Sequence, residues 1–341
     1  MPRTVHDRLN KRLAALIRMQ QEPKPERSDD VVARRLRTTM WEGGPRRDQP
    51  VLLRAHLILR SGRPISPLRA LPRKGAAVQL QLLLLFSEQC RRPKNHVGAA
   101  TRIPVGEPEH PGAPCWRTLV ALPTQTRGGV ARNTRIKQLD QLRNALDSLH
   151  DQGKIELAAT APRAAGRHDS FTVQNEQQLL AEAPMRYRIP VAAQEHVIKV
   201  PSTFFTNGWL HALTPDETIA YLFLLWLHQQ RANSNEGMSI PNETWEQVFE
   251  KPRAHLEAYR MLFRMGLIRA LRDDSRREDG TVPDGEEDFP VHRPYDEMTF
   301  YVDEERLCDD GVTAAITAVQ RRRDGYGLDT AYYAYFVEGH G

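Results

Sequence analysis

The chain has 341 residues, 40% hydrophobic and 27% charged, which allows two or three domains with their own cores and excludes a disordered chain. Three cysteines, Cys90, Cys115 and Cys308, are odd in number and far apart, which excludes a disulfide framework and a zinc spacing and fits a reducing compartment. Net charge is +5 and segregated: residues 1–74 carry 18 Lys/Arg against 7 Asp/Glu, and residues 272–310 carry 5 against 15, so a polyanionic partner is expected for the basic part.

Val5, Leu9, Leu13, Leu16 and Ile17 predict an amphipathic helix over 4–20. After it come a polar break at 22–30, a basic helix over 31–41, a candidate strand over 51–59 and a Pro/Arg-rich connector over 60–74. Residues 1–74 therefore read as a basic arm docked onto the remainder of the chain. Ala76 to Arg91 is apolar nearly all round, as a core helix is. A long loop over 92–114 leads to a short helix over 115–122, then to an amphipathic helix over 133–151 with Ile136, Leu139, Leu142, Leu146 and Leu149 as its core face. Gly153 stops that helix, and Ile155–Leu157 and Phe171–Val173 read as strands of a hairpin. Three helices and a hairpin are the order of a winged helix.

The order recurs. Thr214-Pro215-Asp216-Glu217 is a capping box with proline at the first helical position, opening a helix to about Gln230. Asn242 caps a short helix with Trp245, Pro252 starts a third with Leu256, Tyr259, Leu262 and Phe263 on one face, and Gly266 ends it. Leu267–Leu271 and Thr299–Val302 make the second hairpin. A helix over 312–323 and an aromatic tail, Tyr332 to Phe336, close the chain. The expected architecture is mainly α with small β-hairpins: a basic N-terminal arm (1–74), a first winged-helix module (75–185), a second with an acidic wing (186–305), and a C-terminal helix and tail (306–341).

No phosphate-cradling glycine motif, H-E-x-x-H or C-x-x-C occurs, and the 12 histidines have no ligand spacing, so no cofactor, metal or catalytic group is nominated and an enzyme is not expected. The two most apolar runs, Leu80 to Phe86 and Ile219 to Leu227, fall short of the roughly 20 residues of a membrane helix. The residues that invite a ligand are those suited to DNA. In a winged helix the third helix enters the major groove and the hairpin loop reaches the backbone. The outward face of the 133–151 helix carries Asn133, Lys137, Gln141 and Asn144, whose amides and ammonium suit base edges. Arg127, Arg132 and Arg135 flank its start, and Arg163, Arg167 and His168 make the first wing basic, all suited to phosphates. Asp140 opposes them. The second module offers Arg253, Arg260 and Arg264 beside Glu257, and an acidic wing over 272–297. It either binds DNA with that wing turned away or serves dimerisation.

Tandem winged helices with a basic first wing resemble the plasmid replication initiators that bind iterated origin repeats. Val200-Pro201-Ser202-Thr203-Phe204-Phe205-Thr206-Asn207-Gly208-Trp209, with the Thr214-Pro215 cap and Gly266-Leu267-Ile268, is similar to winged-helix proteins of high-GC actinobacteria carried on mobile elements. The resemblance covers roughly 75–305 and rests on architecture. It implies a sequence-specific double-stranded DNA-binding protein, initiator or transcriptional regulator, cytoplasmic and nucleoid-associated, working as a homodimer. The alternative is a winged-helix protein-interaction scaffold.

Overall fold

The computed structural model describes residues 3–20, 30–47, 49–60, 64–72, 76–91, 99–101, 103–120, 122, 131–159, 161, 164–176, 184–231, 237–240, 244–245, 248, 252–271 and 299–324. In chain order these form α1 (Arg3–Gln20), α2 (Asp30–Glu42), β1 (Val51–Arg54), α3 (Ala77–Arg91), α4 (Trp116–Val120), α5 (Ala131–Asp151), β2 (Ile155–Leu157) and β3 (Phe171–Val173). Next come β4 (Val197–Val200), α6 (Thr203–Thr206), α7 (Trp209–Ala212), α8 (Pro215–Gln230), β5 (Met238–Ser239), α9 (Pro252–Arg264), β6 (Ile268–Leu271), β7 (Thr299–Val302) and α10 (Gly311–Arg323). The described chain is mainly helical, with small antiparallel sheets.

The basic N-terminal segment is built into the body of the protein. Leu9, Leu13 and Leu16 are buried where α1 lies along α10. Each such leucine contributes about 1.5–3 kcal/mol by leaving water. Arg12 forks onto Glu217 (2.7 and 2.6 Å) and donates to the Ala212 carbonyl. Arg37 of α2, fully buried, donates to the carbonyls of Phe205 and Leu119 at 2.8 Å each. Arg34 pairs with Asp310, and Arg69 with Asp216. Arg12, Arg34, Arg37 and Arg69 thus meet carboxylates and carbonyls of the rest of the chain, because a guanidinium has five donors to satisfy once buried. The segment docks, as its amphipathic helix leads one to expect, but it docks as a part of the core.

The expected strand over 51–59 is shorter, turning into a 3-10 helix at Ala55–Leu57. Its partner is β4, nearly 150 residues away: Val51 faces Val200 and Arg54 faces Val197. In such a ladder alternate residues point their backbone groups outward. At the Leu52–Lys199 pair both outward edges are closed by a glutamine amide. Gln89 of α3 accepts from Leu52 N (2.9 Å) and donates to Leu52 O (2.7 Å) and to the Tyr187 hydroxyl (2.9 Å). Gln229 of α8 accepts from Lys199 N (2.9 Å) and donates to Lys199 O (2.8 Å). At that pair each side chain does what a third strand would do. Arg54 is also buried, paired with Glu176 (2.7 Å) and Glu195 (2.5 Å).

Two groups of elements repeat one plan. In the first, α3, α4 and α5 pack together and the β2–β3 hairpin comes next. In the second, α8 and α9 pack together and β6–β7 comes next. The last helix of each group, α5 and α9, ends in the same Schellman motif. Gly153 N donates to His150 O and Lys154 N to Leu149 O; Gly266 N donates to Phe263 O and Leu267 N to Leu262 O. Gly153 and Gly266 sit at φ 67° and 78°, where a side chain would be strained. Two residues on, Ile155 faces Val173 and Ile268 faces Val302. An upstream segment then adds to the outer side of each hairpin. Thr101 N donates to Phe171 O (2.8 Å), and Met238 pairs with Phe300 in a sheet of order β5-β7-β6. A tryptophan covers each phenylalanine: Trp116 on Phe171 at 5.8 Å and Trp245 on Phe300 at 6.0 Å.

One contiguous apolar core runs from Leu9 to Val319 through both groups. An aromatic column crosses it: Trp41, Phe86, Phe205, Phe204 and Tyr221 stand in sequence with ring centroids 4.7 to 5.6 Å apart.

Candidate nucleic-acid interface

The helix expected over 133–151 is present as α5, and its inward side is set by Leu142, Ala145, Leu146 and Leu149, all buried. Its register near the N-terminus differs from the expectation. Gln138 is buried instead, donating to Leu122 O (3.1 Å) and accepting from Arg117 (3.3 Å). Ile136, expected in the core, is 49% exposed, and Leu139 is half-buried. A buried amide is tolerated here because both of its ends are bonded.

The outward side presents Ile136, Lys137, Asp140, Arg143 and Asn144, all exposed, while Gln141 sits half-buried at the margin and Arg135, on the line of Leu142 one two-turn step earlier, is exposed as well. Lys137 and Asn144 are two turns apart along one line of the helix, roughly 10 Å. Arg135 bonds Glu107 at 2.6 Å, and Arg117 approaches the same carboxylate at 3.5 Å. Both members of the Arg135–Glu107 pair are about half exposed, so the pair contributes only about 0–1 kcal/mol and a phosphate can displace it. Arg143 lies 3.9 Å from Asp140, a looser pair that offsets part of that acidic charge.

Arg167 and His168 are not presented at a wing tip. Arg167 is buried, donating to Asp147 (3.2 Å) and to Ala159 O (2.7 Å), and His168 Nε2 lies 2.9 Å from the same Asp147 oxygen. Burial opposes ionisation of Asp147, but hydrogen bonds from His168 and Arg167 outweigh it and hold the carboxyl below the usual aspartate value. Asp147 therefore pins the turn after β2 against α5. The physical reason is local: a guanidinium that can satisfy a carboxylate and a carbonyl at once stays folded in.

On the second helix-and-hairpin group, Arg260 of α9 is exposed and Arg264 half-buried. Arg127, Arg163, Asn242, the acidic loop 272–297 and the tail 332–336 lie outside the described residues, as do the side chains of Arg132, Asn133, Arg253 and Glu257.

Beside β4 a polar cleft of about 570 Å³ is lined by Glu195, His196, Lys199, Gln229 and Glu304 among others. Burial raises the Glu304 carboxyl, with His228 and Gln229 opposing. Among the described residues no group of three or more His, Cys, Asp or Glu converges as a metal site, and no helix is long and apolar enough to cross a membrane.

Sequence reasoning missed the exposed Ile136 and Arg143. The helical position of Arg143 carries the signal, since it lies outside the stripe that Leu142, Leu146 and Leu149 define, whereas Ile136 continues the three-residue spacing of Leu139 and Leu142. Comparison of this chain with protein-family models, with curated proteins and with solved structures found no match.

Proposed function

We propose that the protein binds duplex DNA without catalysing a reaction on it, and that its two repeated groups are tandem winged helices. The observation that carries this reading is the recurrence of one plan. A tryptophan over the hairpin phenylalanine, an upstream segment bonded to the second hairpin strand, and a Schellman-ended last helix occur twice, in an order that fits winged helices. On that plan α5 enters the major groove, with Lys137 and Asn144 at base edges and Arg135 and Arg143 near phosphates. The role is that of a plasmid-type replication initiator or a transcriptional regulator. As a homodimer, the protein would set two such faces on successive turns of the duplex.

A second reading, a protein-interaction scaffold, draws support from Arg167 and His168, which face Asp147 rather than solvent. Salt dependence separates the two. With about four to six phosphates neutralised, the log–log slope of DNA affinity against salt should be about −4 to −5. No binding to duplex DNA at about 50 mM salt, where phosphate contacts are strongest, rejects the DNA reading in favour of the scaffold.

A further inference from the structure

Ile136 stands out on the outward side of α5. It is 49% exposed between Arg135 and Lys137, one turn ahead of Asp140. A lone exposed isoleucine is ordinary on a protein surface. This one lies in the N-terminal half of a third helix, the part that meets bases when such a helix enters a groove. It is also a poor choice for that position on local grounds, since β-branched residues form helix less readily than leucine, lysine or glutamine. Neither the core nor helix propensity accounts for it.

Helical geometry divides the exposed face. Ile136, Asp140, Arg143 and Asp147 fall on the side where the pinned turn carrying Arg167 and His168 rests, and Lys137 and Asn144 fall on the other. An apolar group therefore stands beside donors and an acceptor on one surface. In the major groove only thymine presents a methyl group, at C5, and apolar side chains recognise it by contact. Isoleucine suits this use because its branched Cβ holds χ1 in one rotamer on a helix, so its methyl groups are fixed before contact. The Arg143–Asp140 pair reduces the repulsion that a bare carboxylate would add nearby.

Resting on α5 as the groove-entering helix, we infer that Ile136 is a specificity residue that recognises a thymine C5 methyl. Base reading on this helix is then shared: Lys137 and Asn144 bond acceptors and donors, and Ile136 selects T over C at a neighbouring position.

The test uses the full chain and two pools of duplex DNA of the same random design, one made with thymidine and one with deoxyuridine, which lacks only the methyl. Binding to sites selected from the thymidine pool should weaken about fourfold for each buried methyl when the same sites carry deoxyuridine. Ile136→Ala should lose a similar factor on thymidine sites and bind both forms equally. Lys137→Ala should weaken both forms while keeping the thymidine preference. Equal binding of both forms by the parent protein overturns the inference and leaves DNA binding standing. Failure to bind either pool overturns both.

Discussion

The two glutamine clasps provide a matched pair for a stability experiment. Gln89 and Gln229 make the same pair of bonds to opposite edges of one ladder, but Gln89 is fully buried and the Gln229 bonds are exposed. Methionine keeps the volume and removes the amide. In Gln89→Met, the Leu52 N–H, the Leu52 C=O and the Tyr187 hydroxyl lose their partner in an environment where Leu52 is 7% and Tyr187 1% exposed. At about 1–3 kcal/mol for each buried group left unsatisfied, the loss should be at least about 3 kcal/mol. In Gln229→Met, water takes over at Lys199, and the loss should stay below about 1 kcal/mol. Urea unfolding at neutral pH reads both as shifts in midpoint at constant slope. Equal losses, or a Gln89→Met loss under about 1 kcal/mol, would refute the view that burial rather than bond count sets the strength of the clasp.

Asp147→Asn should lower stability at pH 7, and the deficit should fade as pH falls. The folded carboxyl is held below its ordinary value, so its contribution is present above the unfolded aspartate pKa and is lost as pH drops through the folded one. A deficit independent of pH from 7 to 3 contradicts this. Lys137→Ala with Asn144→Ala should weaken binding to a selected site by about 1–3 kcal/mol and change stability by less than about 0.5 kcal/mol, measured by fluorescence anisotropy and thermal melting. Deleting residues 1–20 should lower the melting temperature of the whole cooperative transition, because Glu217 loses Arg12 and α10 loses its cover. Substituting the exposed Arg8 and Lys11 should not. If the deletion melts like the parent protein, the helix is an appendage after all.

The locally encoded parts of the fold could be read directly from the residues. The capping box forms as its spacing requires, with Thr214 N donating to Glu217 and Glu217 N to Thr214. Gly153 and Gly266 end their helices because only the left-handed backbone closes that turn. The rest depends on partners far along the chain. Nothing near Val51–Arg54 announces Val197–Val200, and two-residue β5 has no pattern of its own. The partners of the buried and half-buried arginines are hidden for the same reason: Arg12, Arg34, Arg37, Arg54 and Arg69 have acceptors 82 to 276 residues away. At the candidate interface Ile136 fits a three- and four-residue stripe with Leu139. The stripe's first turn lies beyond the core, and Gln138 faces inward in its place.

The clasp of α1 on α10 has a consequence for synthesis. Leu9, Leu13 and Leu16 leave the ribosome about 300 residues ahead of the helix that covers them, which is completed only at Arg323. At about 5–20 residues per second, that apolar face waits roughly 15–60 s for its partner, far longer than a helix takes to form. The Arg12–Glu217 and Arg34–Asp310 pairs cannot form sooner than their acidic members appear. The nascent chain must therefore carry a basic amphipathic helix with its apolar face uncovered until Gly311–Arg323 has been made.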